Sequence, residues 1–386
     1  MLSDPSPRPP RCYDPSVAPY RDGDDSSVVH VHDYATIRAL LRDPVRVTAD
    51  VSETVSAEDR ERLHPVSAFV WATDRRTMSG CPGRHGALRT AMASWFTASA
   101  AAARRATTRS TAEALAPAPG QAFDLYHDFA VPVVVASTAE WLGVEPTDVE
   151  YAIADQLAQG EFFEHWPMLT TAAMDEYYRA LMARPGLGGV AAEAKALVAG
   201  GVVTEREAWG IVYSLSVSTV ATAAAVTLAA GLSVEQGTWE RMADPARAGG
   251  AVQEAVRIGN PFPQASRFVR ESFQIGDVEV EPGDQVLMWL TAANRGLPGA
   301  HAEPLDRFDP GRDHTQHLGF GSGYHLCGGL HHVREVAVTA VTTLAERCPH
   351  LQIAGPWKRF VGIDDGYLAA PAESGINPPI GLRGRS

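Results

Sequence analysis

Residues 320–329 read Phe320-Gly321-Ser322-Gly323-Tyr324-His325-Leu326-Cys327-Gly328-Gly329, and the fold turns on them. Four of these ten residues are glycine, which weighs against a helix or strand interior and favours a tight loop. A loop of this kind brings backbone N–H groups close to a sulfur with no side chains in the way. Cys327 then reads as a thiolate metal ligand, its charge stabilised by those N–H groups and by the start of the helix that follows. Two other readings compete. His314, His317, His325, His331 and His332 surround Cys327, and such clusters bind zinc, but no second cysteine and no paired C-x-x-C lies nearby. A buried free cysteine in a turn accounts for Cys327 alone and for nothing else along the chain.

The bulk numbers narrow the function classes. The chain has 386 residues, 45% apolar and 20% charged, the composition of an ordinary globular protein. A formal net charge of −13 argues against nucleic acid as a partner, because phosphate binding wants a basic surface. Cys12, Cys81, Cys327 and Cys348 are too few and too far apart for a disulfide framework, so a reducing cytoplasm is expected. The opening residues, MLSDPSPRPPRCYDPS, lack the apolar core of a signal peptide or membrane anchor. Residues 208–234 carry no charge and are long enough to span a bilayer. Their many serines and threonines fit a buried core helix better, and no membrane partner is expected.

Helical spacing marks residues 34–42, 86–116, 124–142 and 148 onward. A long helix begins near Thr204, an N-cap followed by Glu205 and Glu207. After Gly250 a short helix over 252–258 gives way to strands at 265–269, 273–275, 278–280 and 285–290. A last helix follows the cysteine loop over 330–348. Residues 28–31 read as a short strand, and residues 1–25 as an extended N-terminal arm. With no repeat and no linker, the expectation is one domain over 1–386 with an α-dominated α+β fold.

Phe320, Gly321, Gly323, His325, Cys327 and Gly329 fill all six specified positions of Phe-Gly-x-Gly-x-His-x-Cys-x-Gly, and the loop resembles the haem-binding loop of cytochrome P450. Other runs carry the same resemblance from residue 28 to the C-terminal tail. Glu254-Ala255-Val256-Arg257 resembles the Glu-x-x-Arg of the family, and residues 305–312 (LDRFDPGR) its Pro-Glu-Arg-Phe segment, with Leu305 and Asp306 departing from it. Ala292-Ala293-Asn294-Arg295 and Trp95-Phe96-Thr97 match further family runs. The resemblance implies haem b (iron protoporphyrin IX) held between the long central helix and the cysteine loop, with Cys327 on the iron. It also implies a buried bracing network of Glu254, Arg257 and Arg307. The propionate donors would be His85, Arg89, Arg267 and His325.

In most members the long helix carries Ala/Gly-Gly-x-Asp/Glu-Thr above the iron, where acid and alcohol deliver protons to bound dioxygen. Counting back from Glu254 places the alcohol at Thr219, with Ser216 in the glycine position and Ser218 in the acid position. A neutral hydroxyl in place of the carboxylate removes the ionisable relay. The expectation is therefore atypical chemistry on a small specialised metabolite, such as oxygen or nitrogen transfer from an activated bond. Two alternatives stand beside it: an ordinary monooxygenase using Thr219, Ser218 or water, and a silent binding module. Pocket walls fall by family position on Phe69, Val70 and Trp71, on Phe162, Phe163 and Trp166, and on Tyr213, Val217, Pro261, Phe262, Pro263 and Tyr367. The expected partners are a small-molecule substrate and, if reductant is needed, a ferredoxin or flavodoxin; a monomer is expected.

Overall fold

In a computed structural model, residues 10–21, 27–49, 56, 84–160, 172–299, 303–313, 316–359 and 367–375 are described. The helices used below are α1 (Tyr34–Leu40), α2 (Arg84–Ala91), α3 (Arg105–Leu115), α4 (Val131–Leu142), α5 (Pro146–Gly160), α6 (Ala172–Ala183), α7 (Gly189–Ala199), α8 (Glu205–Glu235), α9 (Pro245–Gly259) and α10 (Leu330–Arg347). The architecture is helix-dominated α+β, and α8 is its axis: α4, α5, α7, α9 and α10 all pack against it.

The ends of these helices follow from local chemistry. Thr204 and Glu207 form a reciprocal capping box, with Glu207 N–H to Thr204 Oγ1 at 3.1 Å and Thr204 N–H to Glu207 Oε2 at 2.7 Å. α9 starts at Pro245 behind an Asp244 cap, seven residues earlier than the apolar spacing suggests, because proline is preorganised for a first turn. The continuous helix expected over 86–116 is instead broken into α2, a 3₁₀ turn Ala93–Phe96, a short helix Ala98–Ala102 and α3. Thr97 ends the turn in extended backbone and caps the next helix.

α8 is long and apolar enough to cross a membrane by composition, yet 78% of its most apolar window is buried inside the protein. Its hydroxyls are accommodated because Ser216, Thr227 and Ser233 donate to carbonyls one turn back, at 2.8, 2.9 and 2.7 Å.

Five strands form the main sheet: β1 (Tyr20–Arg21), β2 (Val28–Val31), β3 (Val47–Thr48), β4 (Gln264–Val269) and β5 (Gln285–Trp289), in the order β1-β2-β5-β4-β3. The short early strand at residues 28–31 thus joins the main sheet. β2 runs parallel to β5, with Val29 opposite Val286 and Val31 opposite Met288. All four of these side chains are buried in a satellite core. The described part of the expected arm, residues 10–21, is folded onto this sheet. Cys12 packs on Trp289 and Ala292, and its carbonyl accepts the Thr291 hydroxyl at 2.9 Å.

Candidate functional site

The loop that carries Cys327 is held by its own backbone. Gly321 N–H reaches Leu318 O at 2.8 Å, and Cys327 N–H reaches Phe320 O at 2.9 Å. Gly321 and Gly323 sit at φ +72° and +70°, a region that side-chain-bearing residues rarely adopt. At Gly323 a Cβ would also lie 2.6 Å from the Leu41 carbonyl oxygen, so α1 and the loop approach as closely as they do only because this residue is glycine.

The thiol of Cys327 faces the first residues of α10. Burial pushes it up, while N–H groups of Gly329 and Leu330 and the nearby Arg89 guanidinium pull it down. These opposing influences describe a half-buried cysteine whose sulfur is provided with donors for an anion, and a bound metal would deprotonate it outright.

Behind the loop, Glu254 and Arg257 form the buried pair expected of them. Arg257 Nε and Nη2 donate to the two carboxylate oxygens at 2.7 Å each, and both side chains are fully buried. The third cation of this network is Arg312, not Arg307. Arg312 Nε donates to Glu254 Oε1 at 3.2 Å with its side chain 2% exposed, while Arg307 points outward to Glu303 with its side chain 62% exposed. A turn at Asp309 explains the exchange: Gly311 N–H caps Asp309 Oδ1 at 2.9 Å and folds the chain back so that Arg312 enters the core. Arg307 contributes only its carbonyl, which accepts from Arg257 and Arg312 at 3.3 Å each.

Asn294 completes the brace. It is fully buried, accepts the Leu318 N–H at 2.7 Å and donates to Arg257 O at 3.2 Å, so it ties the network to the base of the cysteine loop. The sequence signal for this role was present in the Ala-Ala-Asn-Arg run but carried no hint of the partners.

Of the expected propionate donors, Arg89 reaches the loop, donating from Nη2 to Leu326 O at 2.9 Å. His325 closes the short 3₁₀ turn Gly323–His325. Arg267 is 4% exposed on β4 and donates to Ser266 O at 2.6 Å. His85 lies on α2 one turn before Arg89, but its side chain is outside the described residues. Phe96 lies against Gly328, its ring is edge-on to Trp141 at 5.7 Å, and Trp141 stacks on His332 at 4.2 Å.

The long central helix α8 has two different faces. Ser214, Leu215, Val217, Ser218 and Ala221 are only half-buried, a stripe at helical spacing in the middle of an otherwise buried helix. Ser216 and Thr219 turn away from it at 1% exposure each. Ser216 donates to Val212 O at 2.8 Å, and Thr219 Oγ1 donates to Thr138 Oγ1 on α4 at 3.3 Å. Of the three expected catalytic hydroxyls, the structure brings only Ser218 to the open stripe. Helical periodicity separates positions 216 and 219 from 218 by roughly 100–200°.

Tyr213 is also corrected as a pocket wall. It is fully buried in an aromatic core with Tyr178 and Trp209, and its hydroxyl donates to Asp155 at 2.8 Å. Val217 lies on the open stripe, and Phe262 is 38% exposed. Phe69, Val70, Trp71, Phe162, Phe163 and Trp166 lie outside the described residues, as does the side chain of Tyr367.

The residues present fit a thiolate-bound haem. Cys327 has the donor chemistry, Gly328 keeps a surface free where a Cβ would lie 3.1 Å from Arg89 and 3.4 Å from Phe96, and α8 presents a half-open stripe. A zinc site does not fit: among the described residues no group of three or more His, Cys, Asp or Glu side chains converges, and His317 is engaged with Gln253 at 3.1 Å. A separate groove of about 910 Å³ runs beside the loop, lined by Arg38, Arg42, Arg312, Arg334 and His331 together with Phe320.

No protein-family model matches the chain. Among curated proteins, it is 32% identical over 242 residues to Cytochrome P450 107B1 of Saccharopolyspora erythraea, covering 60% of this chain and 59% of that protein. The chain thus spans about three fifths of that relative's length. It is 27% identical over 324 residues to the Erythromycin C-12 hydroxylase of the same organism, covering 79% of this chain and 78% of that protein. The solved structure of Mycobacterium smegmatis CYP164A2 with econazole bound superposes with a TM-score of 0.76 over 92% of this chain and 93% of that one, at 24% identity. With the cysteine loop, the buried Glu254–Arg257 pair and the long central helix in these positions, the chain has the cytochrome P450 fold and is similar in sequence to cytochromes P450, a family whose cofactor is haem.

Proposed function

We propose that this protein is a haem-thiolate enzyme that modifies a small specialised metabolite by transferring or rearranging an oxygen or nitrogen group from an activated bond. Bound haem supplies the redox chemistry, and a thiolate ligand at Cys327 favours cleavage of such bonds by pushing electron density onto the metal.

The observation that carries this reading is the open stripe of α8, where Ser214, Leu215, Val217, Ser218 and Ala221 include no ionisable side chain. Proton delivery wants a group that gives and regains a proton near the working pH. Ser218 is further occupied, since its hydroxyl donates to Leu215 O at 2.6 Å. A substrate that brings its own weak N–O or O–O bond does not depend on a relay of this kind.

The test compares probes on haem-loaded protein without reductant. Conversion of an organic hydroperoxide or an O-acyl hydroxylamine to rearranged or group-transfer products is the expected result. Hydroxylation of an unactivated substrate with matching dioxygen uptake and NADPH oxidation, and no conversion of the activated probes, overturns it.

A second reading, an ordinary monooxygenase, draws support from the groove beside the loop. Arg38, Arg42, Arg334 and His331 suit an acidic electron donor such as a ferredoxin or flavodoxin. The relative named as an erythromycin hydroxylase favours the same reading.

A further inference from the structure

Ser214 and Ser218 stand one turn apart on the open stripe of α8. Each hydroxyl is bonded to a backbone carbonyl, Ser214 to Gly210 O at 2.7 Å and Ser218 to Leu215 O at 2.6 Å. A carbonyl oxygen only accepts, so each serine hydrogen points back into the helix. What remains for anything in front of the stripe is a pair of oxygen lone pairs. Thr222 extends the pattern, donating to Ser218 O at 3.2 Å. The rest of the stripe, Leu215, Val217 and Ala221, is apolar.

We infer that Ser214 and Ser218 form an acceptor-only subsite that selects neutral ligands carrying N–H or O–H donors and disfavours carboxylates. This rests on the reading of the stripe as the wall above the haem, and it names the substrate class for that site. The two oxygens lie on neighbouring turns, about 5–6 Å apart along the helix. A ligand with one donor satisfies either, and a ligand with two donors at that spacing satisfies both. A carboxylate has no hydrogen to offer. To be met by either serine it must turn that hydroxyl out and break a short bond to the helix, which a donor group does not require. The same asymmetry separates a phenol or amide N–H from its O-methyl or N-methyl counterpart, which fills the space but donates nothing.

The experiment reads equilibrium binding by Soret titration of haem-loaded protein, with no turnover. The probes are phenylimidazoles bearing a hydroxyl, a methoxy or a carboxylate group on the phenyl ring. The expected order is hydroxyl tighter than methoxy by roughly three- to tenfold, with carboxylate weakest. Ser218→Ala and Ser214→Ala each shrink the hydroxyl-to-methoxy ratio, the double variant brings it to about one, and Ser218→Thr, which keeps an oxygen at that position, retains it. Equal affinities across the three probes, a preference for methoxy or carboxylate, or a ratio untouched in the double variant overturns the inference. Because only binding is measured, the result is independent of whether turnover needs an external reductant, which is what tests the proposed reaction.

Discussion

Arg312 Nε donates to Glu254 Oε1 at 3.2 Å, between side chains that are 2% and 0% exposed. The same carboxylate oxygen accepts from Asp309 N–H at 2.9 Å and from Arg257 Nη2 at 2.7 Å. One buried carboxylate is therefore shared by two guanidinium groups and a backbone amide, and removing any partner strands charge in a dry interior.

Arg312→Ala is expected to destabilise the protein by about 3 kcal/mol and to lower haem retention, because it leaves Glu254 under-compensated. Arg307→Ala, at an exposed i,i+4 pair with Glu303, is expected to change stability by less than about 0.5 kcal/mol. Urea midpoints of the two variants measure the contrast, and equal losses would show that Arg307 carries the network after all.

Cys327→Ala is expected to abolish the absorbance near ~450 nm of reduced, carbon-monoxide-treated protein, since no other described cysteine is near the loop. Retention of that band in the variant would assign the thiolate elsewhere.

Gly323→Ala places a Cβ at φ +70° and 2.6 Å from Leu41 O. Strain in the backbone and displacement of α1 should together cost about 2 kcal/mol or more and weaken haem binding, whereas Gly237→Ala, also at positive φ but with open space, should cost only about 1 kcal/mol. Thermal melts and haem titration of the two variants separate steric crowding from the backbone preference alone.

Acid should destabilise the protein through two buried histidines. His32 is fully buried, neither ring nitrogen has a hydrogen-bond partner among the described residues, and burial and then His30 and Arg11 push it down to about 4, against Asp14 and Asp33. His332 is pushed down to about 4 by burial and by Arg104. Both are neutral when folded and protonate more readily when unfolded. Their contribution is complete above pH ~6.5 and is lost progressively as pH falls from there toward about 4. Replacing His32 with phenylalanine should flatten the fall in chemical-denaturation stability between pH 6.5 and 4.5. An unchanged slope would remove His32 from the account.

Much of the site was legible in the chain because it is local. The cysteine loop is ten consecutive residues, and its glycines are needed where they stand for reasons of backbone geometry at Gly321 and Gly323. Glu254 and Arg257 are three apart on one helix, so their meeting follows from helical spacing alone. The capping box at Thr204 and Glu207 likewise announces α8.

The parts that were misread depend on distant chain segments. Arg307 and Arg312 are five residues apart in an irregular stretch, and only the turn at Asp309 decides which enters the core. Asn294 owes its role to Leu318 and Arg257, neither near it in sequence. Ser216, Ser218 and Thr219 are near neighbours with similar hydroxyls, yet which of them faces the open stripe depends on how α8 is rotated against α4 and its other neighbours. The sequence by itself determined the thiolate loop, the bracing ion pair and the absence of a carboxylate at position 218. Only the tertiary structure decided the third partner of the brace and the single hydroxyl of the three that meets the open stripe, because periodicity fixes angles within a helix while packing alone fixes which angle points inward.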